Sequence, residues 1–296
     1  MKPAAFHFHR ATSTSEAVAV LRQGLDADLE ARVIAGGQSL VAMMNLRLAR
    51  PQLLVDLNNI DELAYVKPGS DFLRVGAMTR QRTIELSEDV RRGWPLLSEA
   101  LPYVGHTPLR SRGTIGGSLA HADPGAELCA VGLALDASIT VRGPGGDRKI
   151  DMTAFFKGPF TTALAPDEVL AEIVIPSQPL EGSGWAFEEV SRQKGGFAMA
   201  GVAVQLNCGE DGRISRARLA YLSLGAIPMR ANSVEMTLIG EAPTPEVIEA
   251  AAQATAADLS PLEDIHAGTA YRSQLAHAVT VRALTRAVKR AVDSWR

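Results

Sequence analysis

Apolar and polar positions change period along the chain, and the changes mark its elements. Ser13-Thr14-Ser15-Glu16 is a capping-box pattern ahead of Ala17-Val18-Ala19-Val20-Leu21. A short helix is predicted there, ended by Gly24. Arg32-Val33-Ile34-Ala35 reads as a short apolar strand, and Leu53–Asp56 and Leu73–Ala77 read as two more. Thr79 is placed to cap the helix that follows them. The middle of the chain has a helix around Leu96–Leu101, then a glycine-rich loop from Gly113 to Gly125. A helix at about Ala126–Leu135 and strands at Ile139–Arg142 and Val169–Ile175 come next. The stretch from Pro176 to Gly184, rich in Pro, Gly and Ser, is the predicted linker.

Beyond the linker the pattern changes. Trp185–Phe187, Ala200–Leu206 and Ile214–Leu224 alternate as antiparallel strands do, and Gly209-Glu210-Asp211-Gly212 is a hairpin turn between the last two. Two helices close the chain, Pro245–Leu259 and Ser273–Val292, the second with a basic end that suits the helix dipole. The expected class is α+β: mixed layers first, then a smaller sheet with helices.

Composition narrows what such a chain can do. It has 296 residues, 46% hydrophobic, enough for two or three domains with large cores. A formal net charge of −3 leaves no basic excess for nucleic acid or an anionic membrane surface. Cys129 and Cys208 are the only cysteines, too few for a zinc site or an iron–sulfur cluster held by this chain alone. They also argue against a secreted disulfide scaffold. The N-terminal residues lack the apolar core of a signal peptide, and no run approaches the ~20 apolar residues of a membrane span. A soluble cytoplasmic protein is expected.

Two glycine turns carry the chemistry. In Val33-Ile34-Ala35-Gly36-Gly37-Gln38-Ser39-Leu40 a strand ends and the backbone turns over two glycines. Absent side chains let main-chain N–H groups approach a phosphate, and Ser39 adds a hydroxyl. Arg112-Gly113-Thr114-Ile115-Gly116-Gly117-Ser118 repeats the device, with Thr and Ser flanking the pair. Neither fits GxGxxG or the P-loop, so another architecture must hold the phosphate. Several neighbours have simpler roles open to them. Asp123-Pro124 can end a loop and start a helix with Pro124 at its first position, and Glu127 suits a helix start through the dipole alone. Arg110 and Arg112 can orient the second turn, pair with phosphate, or simply face solvent. His106 and His121 read as loop residues, Cys129 as a small core hydrophobe, and Met43-Met44 as packing behind the first turn. No Ser-His-Asp set and no HExxH spacing occurs.

At these residues the chain becomes recognisable. Ala35-Gly36-Gly37-Gln38-Ser39-Leu40, and Thr114-Ile115-Gly116-Gly117-Ser118 followed by His121-Ala122-Asp123-Pro124-Gly125-Ala126-Glu127, resemble the FAD-binding medium subunit of the carbon monoxide dehydrogenase and xanthine dehydrogenase family. Gly158–Glu168, and Phe187–Arg192 with Phe197-Ala198, are similar to two further family signatures. The resemblance runs through essentially the whole chain.

It implies a two-lobed FAD-binding domain of the vanillyl-alcohol-oxidase (PCMH) type at 1–177, with lobes of about 1–60 and 61–177. A C-terminal α+β domain of the CO dehydrogenase flavoprotein type would follow at 184–296. It also implies that Val33, Ile34, Ala35, Gly36, Gly37, Gln38, Ser39 and Leu40, with Thr114, Ile115, Gly116, Gly117 and Ser118, wrap the FAD pyrophosphate. Asp123 and Glu127 would contact FAD, Glu127 standing where relatives carry aspartate. Leu164 would pack near the flavin or its adenine end, and Phe197 beside the isoalloxazine ring. Glu188 stands near a position where some relatives place a lysine.

By the same resemblance, electrons come from [2Fe–2S] clusters on a small subunit, fed by a large subunit with a molybdopterin-type molybdenum cofactor. FAD then passes them to an external acceptor, in an assembly expected to be a dimer of heterotrimers. Two other classes remain open: a self-sufficient FAD oxidoreductase of the same fold, which needs its own base and substrate pocket, and a non-catalytic nucleotide-binding or scaffold subunit.

Overall fold

A computed structural model describes residues 2–179 and 181–294. Its first sheet is small and parallel. Leu53–Asp56 lies in the middle, with His7–Arg10 on one side and Ala31–Ile34 on the other. All four residues of Leu53–Asp56 are buried, because helix Thr14–Asp26 packs against them with Ala17, Val18 and Leu21. Each large aliphatic side chain buried there contributes about 1.5–3 kcal/mol. Ser13 caps this helix by accepting from the Glu16 N–H at 3.1 Å. The helix does not stop at Gly24. It runs on to Asp26, and a Cβ at Gly24 would press on Leu53 at 3.0 Å, so this glycine serves close packing.

The second sheet has five antiparallel strands in the order Val66–Pro68, Phe72–Gly76, Val169–Pro176, Ser138–Gly143, Gly146–Asp151. Its last strand in sequence, Val169–Pro176, is central. Thr79 does not cap the next helix. Its hydroxyl accepts from the Tyr65 N–H at 3.0 Å and donates to the Tyr65 carbonyl at 2.8 Å, and Arg80 occupies the cap position before Gln81–Glu85. Arg80 Nη2 donates to Asn58 Oδ1 at 2.7 Å, tying the loop after Leu53–Asp56 to the segment after Phe72–Gly76.

The third sheet, Ser183–Ser191, Ala198–Cys208, Ile214–Leu222 and Met229–Arg230, is antiparallel. All eleven residues of Ala198–Cys208 are buried, so the strand is covered on both faces rather than alternating core and solvent. Ala203, Ala220 and Leu222 join the core of the second lobe, while Val202, Val204 and Tyr221 pack on helices Pro245–Asp258 and Thr269–Asp293. The hairpin at Gly209–Gly212 forms as expected, with Gly212 at φ +74. The predicted linker is a short connection from Ser177 to Gly182; its Leu180 lies outside the described residues.

Charged clamps tie the third sheet to the lobes. Asp136 accepts from Arg216 (2.6 Å), Arg218 (3.1 Å) and Arg230 (2.9 Å). Glu99 accepts from Arg286 and from Arg290 (2.6 Å), and also from the Phe187 N–H (3.1 Å). No helix among the described residues is long and apolar enough to cross a membrane.

Candidate functional site

The first glycine turn leaves strand Ala31–Ile34 and enters the short helix Leu40–Asn45. Gly37 has φ +73, a conformation that suits glycine. The Gln38 side chain folds back to donate to the Gly36 carbonyl at 3.1 Å. Among the described residues, the backbone N–H groups of Gly37, Gln38, Ser39 and Leu40 have no acceptor. Four successive free donors on a turn without bulky side chains form an anion cradle. Gly37 and Gln38 open on a cleft of 660 Å³, lined with them by Ile34, Ala35 and Gly36 on one wall and by Phe8, Arg10, Asn58 and Arg112 elsewhere. Val33 instead packs against the first core, and Ser39 and Leu40 do not line the cleft. Met44 is buried behind the turn.

The second turn is built differently from the expectation. Residues Ile115–His121 form a helix, not a loop, with Thr114 as its cap accepting from the Gly117 N–H at 3.0 Å. The N–H groups of Ile115, Gly116 and Ser118 donate to the carbonyls of Thr79, Ala77 and Thr114. Its amides are therefore satisfied within the protein, and its glycines serve close approach. A Cβ on Gly116 would fall 2.6 Å from Ala77 Cβ, and one on Gly117 would fall 3.5 Å from Ala35 Cβ. Gly36 likewise lies against Gly113, where an added Cβ would come 2.8 Å from its Cα. The structure thus brings the two glycine stretches into contact, and the cradle proper belongs to the first.

The remaining sequence-derived residues lie along the seam with the third sheet. Helix Glu127–Ala134 starts three residues later than Pro124 allows, because Asp123 Oδ1 takes the Gly125 N–H at 2.8 Å in a turn of its own. Ser223 donates its N–H to the Pro124 carbonyl at 2.9 Å, fixing that turn to the third sheet. Burial drives the Glu127 carboxyl up to about 7, with the negative charge of Asp123 adding to it and its own backbone N–H opposing. Glu189, on strand Ser183–Ser191, is pushed to about 8, first by burial and then by the charge of Glu127. Its Oε2 is buried without a hydrogen-bond partner. Sequence reasoning passed over Glu189, since a second glutamate in Glu188-Glu189 carries no spacing signal. Glu188 is held by Arg286 Nη1 instead. Phe197 is 74% exposed, its ring 3.9 Å from where a Gly125 Cβ would stand. Leu164 is half-buried against the second-lobe core. Cys129 is fully buried, and burial raises its thiol well above the ordinary value. His121 stacks on Phe160, ring centroids 5.1 Å apart, and burial lowers its pKa.

A dinucleotide carrying a flavin fits this arrangement. The cradle presents unpaired N–H donors to a pyrophosphate, the cleft is large enough for part of such a ligand, and the seam offers two half-buried carboxyls.

Known proteins place the chain. A family model described as the FAD-binding domain in molybdopterin dehydrogenase matches residues 4–178, and the CO dehydrogenase flavoprotein C-terminal domain matches residues 185–287. The chain is 39% identical to the 6-hydroxypseudooxynicotine dehydrogenase complex subunit alpha of Paenarthrobacter nicotinovorans, over 98% of this chain and 97% of that one. It is 41% identical to the caffeine dehydrogenase subunit beta of Pseudomonas sp. (strain CBB1), over 99% and 98%. Its fold superposes on a chain of the carbon monoxide dehydrogenase of Hydrogenophaga pseudoflava with a TM-score of 0.94, at 37% identity, covering 98% and 99%. The chain therefore belongs to the family of FAD-binding medium subunits of the molybdenum hydroxylases.

Proposed function

We propose that this chain holds FAD and relays electrons within a multi-subunit molybdenum hydroxylase, without oxidising the organic substrate itself. The observation that carries the reading is the full-length match to such subunits, joined to a turn of four free N–H groups whose Gly37 and Gln38 line the cleft. Bound flavin supplies reversible acceptance and release of electrons singly or in pairs. The chain's own residues do the rest. The turn Gly37–Leu40 donates to the pyrophosphate, and Gly36, Gly113 and Gly117 let the two stretches close behind it. Ile34, Ala35, Gln38 and Ser118 line the approach, while Val33, Thr114, Ile115 and Gly116 shape it by packing. Asp123 and Glu127 reach the cofactor from the seam, Leu164 flanks it, and Phe197 covers it from the third sheet.

The partners in this reading are a large molybdenum-cofactor subunit and a small [2Fe–2S] subunit, assembled as a dimer of heterotrimers in the cytoplasm. Purification from the native host, with metal analysis and mass spectrometry, tests it. The expected result is a flavin-containing chain that co-purifies with the other two. A metal-free single chain that turns over an organic substrate would overturn it and favour the self-sufficient flavoenzyme.

A further inference from the structure

Two arginines on one short helix, Thr107–Arg112, have opposite surroundings. Arg110 is buried, and its donors are consumed: Nε and Nη2 by the Glu85 carboxylate at 2.8 and 2.9 Å, Nη1 by the carbonyls of Val104 and Gly105 at 3.1 and 3.3 Å. Arg112 is exposed and lines the cleft, and its guanidinium has no partner among the described residues. The other cation lining the cleft, Arg10, and the neighbouring Arg80 are already engaged. Arg10 Nε donates to Asp56 at 3.1 Å, and Arg80 donates to Asn58 and to the Arg112 carbonyl. The charged residues lining the cleft are Arg10, Asp56 and Arg112, so it carries one uncompensated positive charge. The backbone that bears this charge is fixed, since the Arg112 carbonyl is gripped by Arg80 and backed by Gly36.

We infer that Arg112 is the cation that pairs with a phosphate of the dinucleotide, and that Arg110 serves only to hold the helix in place. The assignment rests on the FAD reading above. A planar guanidinium on a residue lining the same cleft as Gly37 and Gln38, whose N–H groups are free, matches a pyrophosphate in charge and fork geometry. Arg112 is thus a binding residue, and it discriminates for the adenylate half of the ligand over a bare flavin.

Titration of flavin-free full-length protein with FAD, ADP and riboflavin, by calorimetry at two salt concentrations, tests this. Arg112→Gln is expected to weaken FAD and ADP about ten- to a hundredfold, to reduce the salt dependence of both, and to leave riboflavin binding and Tm unchanged. Arg112→Lys should restore part of the loss, keeping charge without the fork. If wild-type protein binds FAD and Arg112→Gln binds FAD and ADP equally well, the assignment falls while the FAD reading stands. If wild-type protein binds neither FAD nor ADP, both fall.

Discussion

Gly36 rests directly on the carbonyl oxygen of Arg112, and this contact joins the two glycine stretches. Any side chain at position 36 must displace the backbone of Arg112 and Gly113. Gly36→Ala is therefore expected to cost about 1–3 kcal/mol through overpacking, and to lower flavin content with it. Gly93→Ala is the control, because nothing lies within 4 Å of the added Cβ. Thermal unfolding with absorbance at the flavin band checks both, and equal behaviour of the two variants would contradict the steric argument.

Asp136 pairs with three arginines of the third sheet from a left-handed turn at φ 49, and Glu235 shares two of them, Arg218 and Arg230. Asp136→Ala leaves three clustered guanidinium groups with Glu235 as their remaining carboxylate. The cluster is partly solvated, with 30% of the Asp136 side chain exposed, so the expected cost is on the order of 1–3 kcal/mol rather than that of a fully buried pair. Urea unfolding should show a lower midpoint. An unchanged midpoint would mean the seam is held by apolar packing alone.

Glu127 and Glu189 bear on pH. Both carboxyls have folded-state values raised above the ordinary 4.5, to about 7 and about 8, chiefly by burial. Their contribution to stability is thus complete below pH 4.5 and is lost as pH rises through 7 and 8. The Tm of flavin-free protein should fall between pH 5 and 9, and Glu189→Gln should flatten that fall. A parallel pH profile for the variant would show that Glu189 ionises normally.

The two glutamates Glu127 and Glu188 should separate in flavin retention. Glu188 is occupied by Arg286, so Glu188→Ala should leave flavin stoichiometry intact and cost about 1 kcal/mol or less. Glu127→Ala removes a carboxyl from the seam and is expected to weaken FAD roughly tenfold or more. Fluorescence titration of released flavin distinguishes them, and equal retention by both variants would count against a Glu127 contact.

Much of this was legible in the chain. Strands with a clear apolar run, such as Leu53–Asp56 and Val169–Pro176, and the capped helix after Ser13 follow from local pattern. Ile115–His121 did not, because Gly116 and Gly117 look like loop residues. They are glycines because Ala77 and Ala35 lie so close, a tertiary demand that no local signal reports, and Thr114 caps the helix that holds them. His7–Arg10 has only four residues, and its pairing with Leu53–Asp56 supplies the order that its sequence does not. Within the site, the paired glycines were visible. The different fates of Arg110 and Arg112, and the buried Oε2 of Glu189, needed coordinates, since each depends on residues far away in sequence.

The central place of Val169–Pro176 sets a timetable for synthesis. Its neighbours Phe72–Gly76 and Ser138–Gly143 leave the ribosome before it, the first by far the earlier, and each then exposes an unpaired edge. At roughly 5–20 residues per second, the earlier strand waits about 5–20 s for its partner. The second lobe cannot close, and the cradle cannot be backed by a finished sheet, until that strand emerges. Cofactor loading is thus a late event in the life of the nascent chain, and the interval before it is when this protein most needs protection from aggregation.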